Sequence, residues 1–322
     1  LSDDVLKANE EGHTAVAIAI LTDEHTPKIE RLLLKGSNIS AVDIQGNSLM
    51  HLAAMVGRIE VIDLLAERGM GFELTNKGGE TPLIVACRYS NSDTALHLIG
   101  RKADYTRADS EGMTPLFHSA GRGLVDVARE LFNLGVSATD YDTNGRTPLM
   151  VSSMMGQIGM IDLLLKMGAD VEVVHEDTYS NALHMAVRYD HGDATVDVVK
   201  LLLTQNPDLE EKNGEGHTPL MAAAISGNVP AIKVLIAAGA DLEASDEAEG
   251  LTSLILASMK LQANAVEVLV EAGANLFATA DNKMQAAGYV LKIATDQQYP
   301  DDIRSRADDI LEYLRRASKG EK

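Results

Sequence analysis

The stretch DTNGRTPLMVSSMMGQIGMIDLLLKMGAD, residues 142–170, decides how this chain folds. Thr147 can cap the start of a helix, and Pro148 fits the first helical position, where its missing N–H costs nothing. The short apolar helix is expected to end near Gly156, and the apolar spacing that follows predicts a second helix. Gly168 can end that helix in the left-handed conformation, and DTNG predicts a turn before Thr147. The segment therefore encodes a turn followed by a helix–turn–helix unit.

The same segment returns along the chain at a nearly constant period. Eight anchors equivalent to Thr147 are separated by 34, 33, 33, 33, 34, 37 and 34 residues. A fixed period in the range of roughly 20–50 residues indicates a repeat architecture. The anchors are TAVAIAI at Thr14, SLMHLAA at Ser48, TPLIVA at Thr81, TPLFHSA at Thr114, TPLMVSS at Thr147, NALHMAV at Asn181, TPLMAAA at Thr218 and TSLILAS at Thr252.

These residues resemble the ankyrin repeat family, whose G-x-T-P-L-H-x-A signature and G-A-D-V/L segment match from about Gly12 to Ala280. The resemblance implies an all-α solenoid of about eight helix–turn–helix units with projecting β-turn fingers, followed by a C-terminal helical cap. We expect one domain over residues 1–322, with units at 10–42, 43–75, 76–108, 109–141, 142–175, 176–212, 213–245 and 246–280, and a cap at 281–317.

The two ends differ from the internal units, because a terminal unit must present a polar outer face. Residues 302–317 predict a charged helix with one apolar stripe, which we interpret as the outer helix of the cap. The inner helix of the cap is expected from about Ala286 to Ala294. Asp3–Ala8 is either the outer helix of a truncated preceding repeat or a frayed end.

Some internal positions depart from the pattern. Lys102 and Asn206 stand where a left-handed glycine is expected, at a cost of about 1 kcal/mol for Lys102. Tyr179 replaces the finger glycine of the sixth unit, and extra residues fall near Tyr189–Thr195, between its two helices. The lengthening is either a tolerated surface insertion or a contact for a specific partner.

Composition limits the function classes. Lys and Arg number 28 against 48 Asp and Glu, a net charge of −20, which disfavours nucleic acids and anionic membranes as partners. The single cysteine, Cys87, fits a reducing compartment, and no apolar run reaches the roughly 18 residues of a membrane span. We expect a cytoplasmic monomer, with the nucleus or a host cytosol left open. A chain that begins at Leu1 can also be a piece of a longer protein.

The residues that could carry chemistry are better explained by structure. His51 and His184 occupy the family's motif position, where the resemblance implies bonds to neighbouring backbone. His175, Glu176 and Asp177 are consecutive and cannot converge on one metal ion without other ligands. No base is placed beside Cys87. We therefore expect no enzyme activity, no metal and no cofactor.

Acidic residues fall into two groups. Asp43, Asp109, Asp142 and Asp281 are assigned to one recurring turn position, where a short side chain bonds its own backbone. The others form either a solvated acidic rim on the fingers or a docking strip for Lys and Arg. They are Glu80, Glu111, Asp140, Asp177, Glu211, Glu215, Asp246, Glu247 and Glu249.

One repeat position on the inner helices carries side chains that are uncommon on a surface without a partner. We call the residues at this position the ladder. In the family, partners contact the fingertips and the two residues after the paired small residues of each inner helix. Met, Tyr and Arg are enriched at the centres of interfaces. The ladder pairs are Met55–Val56, Arg88–Tyr89, Gly121–Arg122, Met154–Met155, Arg188–Tyr189, Ile225–Ser226 and Met259–Lys260.

The ladder favours a protein-interaction module that binds a partner protein or an extended peptide along its concave face. The peptide would have an apolar centre, an acidic or polar group near the arginines, and basic flanks that meet the acidic fingertips. Three alternatives stay open. The ladder can be packing within a structural spacer. The chain can be the targeting domain of a larger protein whose catalytic part lies elsewhere. It can also be a secreted bacterial effector.

Protein purified without a chelator is expected to contain no stoichiometric transition metal, because the motif histidines fall on packing positions. Elemental analysis checks this, and one equivalent of zinc or iron per chain would contradict it.

Overall fold

A computed structural model describes residues 7–22 and 24–321 of the protein. The chain divides into two compact units, Leu1–Pro148 with Lys166–Gly168, and Leu149–Leu165 with Ala169–Lys322. The described residues form eighteen helices: α1 Ala15–Leu21, α2 Thr26–Leu34, α3 Leu49–Met55, α4 Ile59–Glu67, α5 Pro82–Arg88, α6 Ser92–Gly100, α7 Pro115–Arg122, α8 Val125–Asn133, α9 Pro148–Met154, α10 Ile158–Lys166, α11 Ala182–Arg188, α12 Asp193–Leu203, α13 Pro219–Ser226, α14 Val229–Ala237, α15 Ser253–Met259, α16 Ala263–Glu271, α17 Ala286–Thr295 and α18 Asp301–Ser318.

Each inner helix begins at its predicted anchor. Oγ1 of Thr81 accepts a hydrogen bond from the backbone N–H of Ile84 at 3.3 Å, and Thr218 caps α13 in the same way. The sixth repeat has Asn181 instead of Thr at its anchor, and the Oδ1 atom of Asn181 accepts from the N–H of His184 at 3.1 Å. The caps satisfy donors that the first helical turn leaves without a partner.

The left-handed positions are also where the sequence places them. Gly69, Gly135 and Gly239 follow outer helices with φ of 86°, 87° and 98°. Lys102 and Asn206 take the same conformation, with φ of 66° and 52°. The repeat pattern therefore imposes the left-handed conformation even on residues other than glycine, for which it is energetically unfavourable.

Inside each compact unit, inner helices are buried because neighbouring helices cover them. In the first compact unit, for example, α5 packs against α3, α6 and α7. Its residues from Leu83 to Cys87 are fully buried. A helix enclosed on several sides can be apolar nearly all round, whereas an outer helix such as α8 keeps one polar face. In the second unit α13 packs in the same manner against α11, α14 and α15.

Neighbouring fingers are joined by backbone hydrogen bonds. In each case the residue four before one anchor donates its N–H to the carbonyl oxygen of the residue three before the preceding anchor. For the last bond the anchor is Gln285, the residue before α17. The bonds are Ile44 to Glu11, Lys77 to Gln45, Ser110 to Gly78 and Thr143 to Glu111 in the first unit, and Gly214 to Thr178 and Asp281 to Glu249 in the second, at 2.7–3.0 Å.

The C-terminal cap is present as expected. α17 packs against α18, and α18 also contacts α16, so the apolar stripe of α18 is covered while its other face is charged. Most of the proposed N-terminal helix at Asp3–Ala8 lies outside the described residues. Among the described residues, no helix has the length and apolar character to cross a membrane.

The sixth repeat absorbs its extra residues between and within its helices. α12 has 11 residues where the other internal outer helices have 9. Nε2 of His191 nevertheless donates to the carbonyl oxygen of Met154 at 3.0 Å. Asn91, which holds the equivalent position ten residues after its anchor, bonds the carbonyl oxygens of Ala54 and Met55 in the first unit. The insertion thus preserves the bond between neighbouring repeats.

His184 makes the stability of the fold depend on pH. Its ring is 3% exposed, and its Nε2 donates to the carbonyl oxygen of His217 at 3.0 Å. Burial disfavours the charged ring and lowers the pKa of His184 to about 4. The folded chain therefore keeps this ring neutral over a pH range in which the unfolded chain protonates it.

The contribution of the neutral His184 ring is complete above about pH 6.5 and is lost as the pH falls towards about 4. Between about pH 7 and about pH 5, we expect the free energy of unfolding to fall by about 2 kcal/mol more in the wild type than in His184→Asn. Urea titrations of both proteins at each pH measure this difference. His25→Asn, a change at an exposed ring, should behave as the wild type does. Equal pH dependence in the wild type and His184→Asn would show the assignment to be wrong.

Candidate interaction surface

The ladder residues lie at the C-terminal ends of the inner helices. Tyr89 and Tyr189 are the C-cap residues that directly follow α5 and α11, and each is 45% exposed. Met155, just after α9, is 44% exposed. Of the other ladder residues, Arg122 and Arg188 are exposed, and Met55, Arg88, Met154, Ile225 and Met259 are half-buried. The structure thus leaves several large side chains open to solvent at one repeat position.

In each unit the ladder borders a hollow. In the first unit the hollow has a volume of about 500 Å³, with Leu52, Met55 and Tyr89 among its lining residues. In the second unit a hollow of about 360 Å³ is lined in part by Tyr189 and Ile225. Each hollow is therefore lined by both apolar and polar side chains.

Arg88 is held in place by Glu80. Nη1 of Arg88 lies 2.9 Å from Oε1 of Glu80, and Nδ2 of Asn76 donates to Oε2 of Glu80 at 2.7 Å. The guanidinium of Arg88 also lies 5.1 Å from the ring centroid of Tyr89. Glu80 is only 6% exposed, so its expected place in the open acidic rim is wrong: it is a buried counterion of Arg88.

A second pair, missed in the sequence, extends this cluster. Nε2 of His118 lies 2.8 Å from Oδ2 of Asp109, and both side chains are buried. Ligand atoms of Glu80, Asp109 and His118 all lie within 4.8 Å of one another. The signal was available, since His118 is four residues after its anchor and Asp109 is five before it. It could be recognised only once the neighbouring repeat was placed beside Glu80.

The cluster has the residue types of a metal site but already satisfies its own atoms. Both oxygens of Glu80 are engaged by Arg88 and Asn76. Oδ1 of Asp109 accepts two backbone N–H groups, and its Oδ2 faces His118. A cation would have to displace the Arg88 guanidinium, so the arrangement is better described as a charge network between the third and fourth repeats.

The acidic fingertips are a distinct set. Glu11, Glu111, Glu215 and Glu249 all stand three residues before an anchor and are exposed. Arg146 lies 3.8 Å from Glu111, too far for a strong contact, and Glu111 stays 62% exposed. Asp177, in the lengthened sixth finger, is exposed as well.

Other acids belong to the turns. A finger is closed by a side-chain atom of its first residue, which accepts two backbone N–H groups. Asp246 does this in the eighth finger and is 5% exposed, so its assignment to the surplus acids is wrong. Asp281 was assigned to this position, but Ala280 occupies it. The closing residues are Asn9, Asp43, Asn76, Asp109, Asp142, His175, Asn213 and Asp246.

Cys87 and His51, two further candidates for chemistry, are packed into the core. Cys87 is fully buried, and burial raises the pKa of its thiol to about 12, which leaves it protonated and unreactive at neutral pH. His51 donates from Nε2 to the carbonyl oxygen of Glu80 at 2.9 Å. Desolvation lowers the pKa of His51, so its neutral ring bridges two repeats.

Comparison with known proteins agrees with the repeat pattern. The model of the family "Ankyrin repeats (3 copies)" matches residues 13–109, 97–175 and 183–280. The ankyrin repeat domain of human ASB11 superposes with a TM-score of 0.62 and 25% identity, over 71% of this chain and 99% of that domain.

Two curated relatives illustrate the range of proteins that contain such repeats. The ankyrin repeat protein nuc-2 of Neurospora crassa is 27% identical over 68% of this chain and 17% of its own length. A poly [ADP-ribose] polymerase tankyrase of Caenorhabditis elegans is 34% identical over 23% of this chain and 3% of its own length. The similarity to these relatives is therefore confined to a small part of each.

Three consecutive family matches, together with stacked helix pairs and capped fingers, show that the chain belongs to the ankyrin repeat family, whose repeats are general protein–protein interaction modules.

Proposed function

We propose that the chain binds an extended segment of a partner protein along the ladder and the fingers. The observation that carries this is the exposure of Tyr89, Met155 and Tyr189 at equivalent positions, each about 45% open to solvent. Exposed aromatic and Met side chains that recur at one repeat position are typical of a binding surface rather than of a surface without a partner.

The residues around the ladder support recognition of a segment that contains both apolar and basic residues. The hollows beside Tyr89 and Tyr189 offer apolar walls of a size that suits side chains of a peptide. The exposed carboxylates of Glu111, Glu215 and Glu249 favour basic residues at the flanks of that segment. The net charge of −20 disfavours nucleic acid and anionic membranes as alternatives.

We further propose that the chain acts as a monomer inside the cell and performs no catalysis itself. The thiol of Cys87 has no exposed surface, which supports this view. Among the relatives, the tankyrase of Caenorhabditis elegans carries the name of an enzyme but is matched over only 3% of its length. A targeting role within a larger protein is thus a variant of the same proposal. The second candidate, a structural spacer, is favoured by the half-buried ladder residues such as Met55 and Met259.

Tyr89→Ala, Met155→Ala and Tyr189→Ala are each expected to weaken partner binding by about 1–3 kcal/mol, since interface energy concentrates in such residues. Thermal stability should change little, because each side chain is about 45% exposed in the free protein. Affinity purification with mass spectrometry identifies the partner, and isothermal titration calorimetry measures the loss. Phe277→Ala serves as the matched control, because Phe277 is 60% exposed but lies after an outer helix.

A different outcome would favour the spacer. If the three variants unfold at lower temperature while binding per folded molecule is unchanged, these side chains pack between repeats and do not touch a partner.

Glu111→Gln combined with Glu249→Gln is expected to slow association with the partner and to flatten its dependence on salt, because rim charges mainly steer encounter. Stopped-flow association rates at several ionic strengths measure the effect. Glu60→Gln combined with Glu267→Gln removes the same charge from outer helices and should have a smaller effect. Equal effects of the two pairs would mean that only the net charge matters.

A further inference from the structure

The dipeptide Arg–Tyr occurs at the same repeat position twice, in two different environments. Arg88 and Arg188 each stand seven residues after their anchors, Thr81 and Asn181. In the first unit, Arg88 lies 2.9 Å from the buried carboxylate of Glu80. In the third repeat, therefore, a carboxylate occupies the space beside the arginine at this position.

The counterparts in the second unit lack the charges of that network. Glu80, one residue before its anchor, corresponds to Ser180. Asp109 and His118, from the following repeat, correspond to Asn213 and Ala222. Three of the four charge-bearing positions have become neutral, and Arg188 alone is kept.

Arg188 is consequently left without an internal counterion. Its guanidinium has no hydrogen-bond or ion-pair partner among the residues that the structure describes, and it borders the hollow of about 360 Å³. Ser180, Asn213 and Ala222 line the same hollow, so the space left by the smaller and neutral side chains is open. The nearby Glu215 does not compensate, because its carboxylate lies 3.2 Å from Nδ1 of His217 and is 76% exposed.

The polar groups beside Arg188 are suited to an acceptor. Oδ1 of Asn213 is used by the backbone N–H groups of Glu215 and His217, at 3.0 Å each. Its amide Nδ2 has no partner among the described residues, whereas the equivalent atom of Asp109 is an acceptor that faces His118. An acceptor has thus been exchanged for a donor, next to an arginine without a counterion.

We infer that this hollow is a subsite for a carboxylate, supplied by an Asp or Glu side chain of the bound segment. The carboxylate would occupy the place beside Arg188 that Glu80 occupies beside Arg88. Charge-assisted hydrogen bonds from a guanidinium are strong and directional, and Tyr189 and Ile225 offer apolar contacts for an adjacent residue. The inference rests on the proposed function, since it names what the ladder recognises in the second unit.

A first experiment tests the geometry without any partner. Ser180→Glu places a carboxylate at the position of Glu80, and Ser180→Gln is the uncharged control of the same size. Combined with Arg188→Gln in a double-mutant cycle, Ser180→Glu is expected to show a favourable coupling of about threefold in the unfolding equilibrium constant. Ser180→Gln should show none. Absence of coupling in Ser180→Glu would overturn the inference, because the hollow would not then hold a carboxylate beside Arg188.

A second experiment tests recognition with a defined probe. Random nonapeptides displayed on phage are selected on the full 322-residue chain, and the selected sequences are synthesised. We expect Asp or Glu to recur at one position, and its replacement by Asn or Gln to weaken binding about tenfold. Arg188→Gln and Ser180→Glu should each abolish that difference. Lys200→Gln, which removes a positive charge from the outer helix of the same repeat, should preserve it.

The outcomes separate the two proposals. Peptides that lose affinity in Tyr189→Ala but ignore the acid-to-amide change would overturn the carboxylate subsite and leave the proposed function standing. Failure to select any peptide, or peptides insensitive to Tyr189→Ala, would overturn both. An acid preference that persists in Arg188→Gln would also overturn the subsite.

Discussion

Side-by-side packing of neighbouring inner helices is the interaction on which the rest of each unit depends. An inner helix such as α5 has seven residues, too few to be stable alone in water. It is held because α3, α6 and α7 cover it, and each fully buried Leu, Ile or Val contributes about 1.5–3 kcal/mol. The constraint divides the positions of a repeat into two kinds. Those that face a neighbour must be apolar or hydrogen-bonded, and those at the ends of the inner helices and at the fingertips are free to vary.

The first kind of position could be predicted from the sequence, because its determinants are local. A cap residue, a first-turn proline and a left-handed terminus act within a few residues of one another, so the eight anchors and the left-handed Lys102 and Asn206 were predicted correctly. The period then fixed the number of units and the position of the insertion in the sixth. The same alignment placed Tyr89 and Tyr189 at one repeat position but left open whether they face solvent or pack between repeats; in the structure both are exposed.

The candidate site was predicted less well, because its charges depend on the adjacent repeat. Glu80 and Glu111 look alike in the sequence, yet one stands a single residue before its anchor and the other three. The position of Glu80 faces the interface with the next repeat, where Asp109 and His118 lie. The position of Glu111 is an exposed fingertip. A composition argument treats both as surplus acid. Only the register between neighbouring repeats distinguishes a buried counterion from a solvated one.

The backbone bonds between fingers have a consequence for how the chain folds and opens. Each joins a residue to one about a repeat length away in sequence, as Lys77 does to Gln45 and Ser110 to Gly78. Contacts of such short sequence separation close small loops, which costs little entropy and favours rapid folding. A terminal repeat can detach by breaking bonds to a single neighbour, so opening proceeds stepwise from an end.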